Sequence, residues 1–334
     1  MAELKKAADI LPGLLPKRRR APGELSKQKL ADIAARESFE QQEYGTESLA
    51  YMPSQLIQCC FPHDDPGDVP EWSRSTPWLT MSLQPGRKTD RKTGQRVSIG
   101  YPFGTVPRLL MFYVMTQIEH QKNQLNQTAL EKRTVSLGAS LGQFMRAINL
   151  NPENGSGKRS DKRRVKEQVE RFARVRVSFE QEHQKDDGYA YIDMQVSESG
   201  EFWWTSKDTE QTGLFESHIT LSESFYRKVL SSLVPLDMAA LKALKNSALH
   251  LDLYAWCLYR SHTLTKGGKG PLTVEWPSFM AQSGAEYKRV RKFREKVIEA
   301  LPSVRPYLKH IRVVTDEKGI TIHPTRKALI PARL

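Results

Sequence analysis

Nine basic residues fall between positions 158 and 176: Lys158, Arg159, Lys162, Arg163, Arg164, Lys166, Arg171, Arg174 and Arg176. Only three acids, Asp161, Glu167 and Glu170, stand among them. Val165, Val169 and Phe172 recur at i, i+4 and i+7, the spacing of one apolar helix face. With that face turned inward, Arg163, Glu167, Glu170 and Arg174 point outward, and Arg164, Lys166 and Arg171 lie on the flanks. Most of the charge sits in the first two turns. Helix N-termini favour phosphate, arginine can reach guanine O6 and N7 together, and lysine serves as a phosphate charge.

A second segment, "EYKRVRKFREKVIEALPSV", has the same design. Val290, Phe293 and Val297 form its apolar face; Lys288, Arg291, Lys292 and Glu295 point out, with Arg289 and Lys296 beside them. One such helix could be a solvated face laced by pairs such as Lys166 with Glu170, each contributing about 0.2–0.5 kcal/mol. Two in matching positions, each followed by a predicted hairpin, argue for binding to double-stranded DNA. On this reading the DNA-binding residues are Lys158, Arg159, Lys162, Arg163, Arg164, Lys166, Arg171, Lys288, Arg289, Arg291, Lys292 and Lys296.

The elements that must position these helices also repeat. "TVPRLLMFYVMTQIEHQKN" predicts an apolar helix, with Thr105 as a cap and Pro107 in its first turn. "RTVSLGASLGQFMRAINL" reads as a short strand and a helix ending near Leu150. After the loop "NPENGSG" and the first basic helix, two β-rich runs flank "DDG", a hairpin signal. Helix, strand, helix, basic helix and hairpin follow the order of a winged helix, whose third helix enters the major groove while the hairpin touches the backbone.

The order recurs in "NSALHLDLYAWCLYRSHTL", "PLTVEW", "PSFMAQSG", the second basic helix and "HIRVVTDEKGITIHP". The "FM" of "LGQFMRAI" matches the "FM" of "PSFMAQSG". Between the copies, Ser222 is expected to cap a connecting helix, and of Trp203 and Trp204 one should pack while the other faces out. The predicted fold class is therefore α+β with tandem winged-helix domains. Its divisions are a flexible basic N-terminal region over 1–75, a first domain over 76–220 and a second over 221–334. A helix is expected from about Ser26 to Gln41. The compact fold should start near Trp78, with "WLTMSLQPG" and "QRVSIGYPFG" as strands around the basic loop "GRKTDRKTG".

Composition excludes several classes. A net charge of +13 with 39% apolar and 27% charged residues describes a globular chain suited to a polyanion rather than a membrane protein. The N-terminal apolar piece is broken by Pro12, Gly13 and Pro16 and precedes its Lys/Arg run, the wrong order for a secretory signal, so a bacterial cytoplasmic location is expected. Cys59, Cys60 and Cys257 suit neither a disulfide framework nor zinc spacing and read as reduced thiols. "NGSGKRS" fails as a phosphate loop: Pro152 stands where the first glycine belongs, and Arg159 where Ser or Thr must follow the lysine. The histidines form no metal pair. Neither enzyme activity nor a cofactor nor a metal site is expected.

From "IGYPFGTVPRLLMFYVMTQ" onward the sequence resembles the plasmid-encoded RepA family of replication initiators. Pro102 to Leu110 is the most recognisable piece, followed by "LGASLGQFM", the basic helix and "LDLYAWCLYR", over about residues 78–320. The resemblance implies a protein that binds repeated sequences at a plasmid origin, opens nearby duplex and helps load the host initiator or helicase. It also implies two winged-helix units and exchange between a monomer and a homodimer. A tandem winged-helix transcriptional repressor and a DNA-nicking enzyme stand as alternatives.

Overall fold

The computed structural model describes residues 49–153, 161–182, 188–204 and 216–325. Its elements are β1 (Leu49–Pro53), α1 (Ser54–Gln58), β2 (Trp72–Ser75), β3 (Leu79–Gln84), β4 (Arg87–Thr89), β5 (Arg96–Ser98), α2 (Thr105–Gln121), β6 (Thr134–Ser136), α3 (Leu141–Ala147), α4 (Asp161–Arg174), β7 (Arg176–Glu182) and β8 (Tyr189–Gln195). They continue with β9 (Ser197–Glu201), β10 (His218–Leu221), α5 (Glu223–Leu230), β11 (Leu233–Asp237), α6 (Met238–Leu244), α7 (Ala248–Lys266), β12 (Leu272–Glu275), α8 (Trp276–Gln282), α9 (Val290–Val304), β13 (Val313–Thr315) and β14 (Gly319–Ile322). The architecture is α+β.

Two long helices, α2 and α7, form its centre. Both are apolar around most of their circumference, which a helix tolerates only when packed on several sides. Val106, Leu110, Met111, Val114 and Ile118 of α2 are buried, as are Leu251, Leu253, Trp256 and Cys257 of α7. Gly104, at φ +76°, turns the extended "YPF" segment into α2, so Thr105 is the first helical residue rather than the cap; Pro107 sits in the first turn as expected. Ser247 caps α7 by accepting from the His250 N–H, and Ser222 caps α5 by accepting from the Phe225 N–H.

Around these helices the chain builds the same unit twice. The second unit runs α7, β12, α8, α9, β13, β14, and its sheet order is β12-β14-β13. The first runs α2, β6, α3, α4, β9, β10, with sheet order β6-β10-β9. In each, the strand after the first helix pairs with the last strand of the following hairpin. Phe144 of α3 and Phe279 of α8, the two "FM" phenylalanines, are both buried.

The hairpin expected directly after the first basic helix does form, with β7 and β8 antiparallel from Arg176↔Gln195 to Glu182↔Tyr189. It is not the counterpart of β13–β14. It lies in a separate sheet of order β2-β3-β7-β8. The strand β8 leaves that sheet at Val196, and β9 continues into the other, so one extended stretch serves two sheets. β3 is buried by pairing with β2 and β7, and therefore does not pair with the "QRVSIG" strand. The loop "GRKTDRKTG" itself closes into the small hairpin β4–β5.

The compact fold already includes the residues from Leu49 onward, well before Trp78. β1 pairs with β11 from Leu49↔Asp237 to Pro53↔Leu233, and Leu49, Ala50, Tyr51, Met52, Leu56, Ile57, Phe61 and Trp72 are all buried. The expectation rested on the Pro- and Asp-rich composition of 62–70, yet the apolar residues before it fill the space between the two units. The proposed helix from Ser26 to Gln41 lies outside the described residues. No described helix is long and apolar enough to cross a membrane. The three cysteines are buried and unpaired with one another.

One buried ion pair joins the two long helices. Arg108 of α2 directs all five guanidinium N–H groups to acceptors: Nε to Asp252 Oδ1 (2.6 Å), Nη2 to Asp252 Oδ2 (2.6 Å) and Phe61 O (2.7 Å), Nη1 to Gly104 O (2.7 Å) and Pro62 O (3.2 Å). His63 Nε2 lies 2.8 Å from the same Asp252 Oδ2. The opposite strand of chain closes over this group: His63 N–H donates to Gly284 O at 2.8 Å, and a Cβ on Gly284 would run into Phe61 O. Burial alone would raise the Asp252 carboxyl, but the Arg108 charge and the hydrogen bonds from His63 and Arg108 overcome it and hold the group at about 2. Burial pulls the His63 imidazole below its ordinary value despite the bond to Asp252.

Removing one partner leaves the other charge buried without compensation. Asp252→Asn is expected to lower stability by about 3–5 kcal/mol in urea denaturation at neutral pH, and Arg108→Met with Asp252→Leu to recover much of that loss. Both titrations add acid sensitivity. A depressed Asp252 stabilises the fold above the unfolded carboxyl value of about 4, and that part is lost as pH falls from there through about 2. A depressed His63 binds its proton more readily in the unfolded chain, so its part is lost as pH falls below about 6.5. His63→Gln should therefore flatten the pH dependence of the melting temperature just below pH 6.5; an unchanged slope would show that His63 does not titrate this way.

Candidate nucleic-acid interface

The basic helix α4 is anchored by its apolar face. Val165, Val169, Phe172 and Ala173 are buried, and Phe172 meets Phe61 edge to face with ring centroids 6.3 Å apart. Gln168 is buried with them and accepts the Phe103 N–H at 2.8 Å, which fixes α4 to the segment leading into α2. Asp161 in the first turn complements the positive end of the helix dipole.

With that face in place, the charges divide into two sets. Arg163 and Arg164 are exposed; Arg163 Nε lies 2.8 Å from Glu167 Oε1, and Arg164 Nη2 lies 3.0 Å from Asp161 Oδ1. Lys162 is half-buried beside them. Lys166 and Arg171 turn toward the protein. Lys166 Nζ lies 3.2 Å from the Trp204 carbonyl, and burial lowers its pKa. Glu170, the partner Lys166 would have on a merely solvated helix face, accepts from Lys88 Nζ at 3.3 Å. Arg171 Nη1 donates to Asp65 Oδ2 and to Tyr101 O, both at 3.2 Å, and its guanidinium lies 5.4 Å from the Phe103 ring centre. Gly100, at φ +79°, leaves space for that guanidinium. Lys158 and Arg159 lie outside the described residues.

The second basic helix begins later than its sequence pattern predicts. α9 starts at Val290, so Lys288 and Arg289 precede it and Arg289 takes the extended cap position. The reason lies in 283–286. Arg74 Nε donates to Ser283 O at 2.6 Å, Trp72 Nε1 donates to Glu286 Oε1 at 2.7 Å, and Gly284 closes over the Arg108 cluster. These bonds hold the segment out of a helix.

Phe293, Val297, Ala300, Leu301 and Val304 form the buried face of α9. Arg291 is 86% exposed at the side chain, and Lys292 55%. Glu295 accepts from both, with Arg291 Nε at 3.4 Å and Lys292 Nζ at 3.1 Å, and Lys296 pairs with Glu299 at 2.6 Å. All these partners are themselves solvated, so phosphate can displace them at little cost.

Beside the C-terminal end of α4 lies a cleft of about 1700 Å³. Arg87, Arg96, Arg171, Arg174 and Arg176 line it together with Asp65, Asp68 and Glu198. Arg87 and Arg96 belong to β4–β5, which the sequence marks through its density of cations. Trp204 stacks on Phe144 with centroids 5.2 Å apart, while Trp203 is half exposed, the division expected of the pair. No group of three or more His, Cys, Asp or Glu side chains placed to hold a metal occurs among the described residues.

Residues 101–278 match the family model described as plasmid encoded RepA protein. No curated protein sequence matches the chain. Among solved structures, a selenomethionine crystal structure of domains 2 and 3 of RctB is similar at 10% identity and a TM-score of 0.45, over 81% of this chain and 98% of that one. A second structure of RctB domains 2–3 is similar at 9% identity and a TM-score of 0.42, over 80% and 94% of the two chains.

The two sets of cations on α4 should behave differently. Arg171→Ala removes an ion pair with Asp65 and a charge-assisted hydrogen bond to the Tyr101 carbonyl, and is expected to destabilise the fold by about 1–2 kcal/mol in urea denaturation. Arg163→Ala should stay within about 0.5 kcal/mol of the parent protein. Equal stability of Arg171→Ala and the parent would show that the inward bonds contribute nothing.

Proposed function

Because the chain belongs to the plasmid-encoded RepA family, we propose that it is a replication initiator that binds repeated double-stranded DNA sequences at a plasmid origin through α4 and α9. Each unit acts as a winged helix, with its basic helix in a major groove and the following hairpin against the backbone. Bound there, the protein helps open adjacent duplex and recruits the host initiator or helicase. A monomer carries two different DNA-reading units and so suits a direct repeat rather than a palindrome.

The observation that carries this reading is the duplication. Two units with the same element order and the same strand order present an exposed basic helix at the same position. Arg163 and Arg164 stand out on one, Arg291 and Lys292 on the other. The faces that hold the two helices to the fold are others: Val165, Gln168, Val169 and Phe172 on α4, and Phe293, Val297 and Leu301 on α9.

Footprinting on a cognate origin tests the reading directly. A long footprint over direct repeats supports an initiator, a short palindromic one supports a repressor, and metal-dependent strand cleavage supports a nicking enzyme. About seven phosphate contacts from the two helices put the slope of log K against log[salt] near −6 or steeper, and a slope shallower than about −3 counts against a footprint from both units. Arg163→Ala and Arg291→Ala are each expected to cost about 1–3 kcal/mol on the specific site and less on random DNA. Equal losses on both would remove these residues from base reading.

A further inference from the structure

Between β3 and the segment entering α2, the chain leaves the core to form β4–β5. Of residues 87–98 only Asp90 is half-buried; the rest are exposed. An isolated two-stranded hairpin is marginal in water, and this one buries no apolar face that would offset its ordering. Its backbone is nonetheless well tied. At the tip, Lys92 N–H donates to Asp90 Oδ1 at 2.8 Å, Gly94 N–H to Asp90 O at 2.8 Å, and Asp90 N–H to Gln95 O at 2.9 Å. At the base, Ile99 N–H donates to Gly86 O at 3.0 Å, and Gly86 lies so close to Arg174 that a Cβ would not fit.

The hairpin carries five cations, Arg87, Lys88, Arg91, Lys92 and Arg96, against the single carboxylate of Asp90, whose oxygen is engaged by the turn. Among the described residues, Arg91, Lys92 and Arg96 have no acidic partner, so packing does not explain their charge.

Its placement relates it to α4. Lys88 reaches Glu170 at 3.3 Å, and Arg174 Nη1 donates to Arg87 O at 3.2 Å. Glu170 and Arg174 lie on the outward face of α4 that also carries Arg163. Eleven residues at about 1.5 Å each place the hairpin end of α4 roughly 16 Å from Arg163. A major groove is about 12 Å wide. If the first turns of α4 sit in the groove, the hairpin comes to the phosphates that border it.

We infer that β4–β5 is a DNA-backbone arm in which Arg91, Lys92 and Arg96 bind phosphates of the same duplex that α4 enters. This rests on the reading of α4 as a DNA-reading helix. The arm grips without selecting sequence, because solvated cations without an ordering cage act on phosphate as charges.

The test uses the full chain with Arg91→Gln, Lys92→Gln and Arg96→Gln together, measured on an origin-repeat duplex and a random duplex. Loss of three contacts should make the salt slope less negative by about 2–3, weaken binding equally on both duplexes and leave the melting temperature unchanged. Should the triple variant melt early, each single substitution carries the test, with an expected shift of about 0.9. Arg91→Lys with Arg96→Lys should keep the slope, and a loss as large as that of the glutamine variant would overturn phosphate binding in favour of base reading. If the glutamine variants keep both slope and affinity while Arg163→Ala still loses site preference, the arm is wrong and the initiator reading stands. If the parent protein binds neither duplex, the initiator reading fails and the arm with it.

Discussion

Arg108 and Asp252 sit at the point where the two units, the N-terminal segment and the connection before α9 all meet. A charge this deeply buried is tolerated only when its hydrogen-bonding capacity is met, and the guanidinium meets it with acceptors from three separate stretches of chain. The geometry thereby fixes 61–62, the start of α2 and one position on α7 relative to each other. Gly284 is required where it stands because the backbone of 61–63 passes against it. The direction of the two basic helices follows, since α4 is fastened to Phe103 and Phe61, and α9 is preceded by residues bonded to Trp72 and Arg74.

This lock accounts for two of the segments that carry the family resemblance, "PFGTVPRLL" and "LDLYAWCLYR". Neither segment contains a candidate DNA-contacting residue. The first supplies Gly104 for the turn into α2 and Arg108 for the ion pair; the second supplies Asp252 and the buried side chains of α7. Such positions are restricted by geometry from several sides at once, whereas an exposed arginine is restricted only by its ligand.

Within α4, equal-looking cations have unequal roles. Lys166 and Arg171 hold neighbouring backbone and loop atoms, while Arg163 and Arg164 are exposed and each meets a carboxylate of its own helix. The difference comes from about 100° of rotation per residue against a fixed apolar face, and from the presence of Trp204, Tyr101 and Asp65 on the flanks. The inserted β7–β8 hairpin adds a second constraint, because its continuation into β9 ties the four-stranded sheet to the sheet of the first unit.

Local sequence signals revealed both basic helices, their buried faces, the long apolar helices, the repeated element order and the turn between β13 and β14. These are local signals: each depends on residues a few positions apart, and on the side of the element that must avoid water. The sequence also marked "GRKTDRKTG" as basic, although not as a hairpin of its own. Strand partners were decided by the tertiary structure. β3 looked ready to pair with the strand after its loop, yet it pairs with β2 and with β7, almost a hundred residues away. The inclusion of Leu49–Pro53 in the fold, the late start of α9 and the inward turn of Arg171 were likewise set by distant contacts. A strand or an arginine has the same local preference whichever neighbour it meets. The choice is made by which apolar surfaces and unsatisfied polar groups the folded chain brings together.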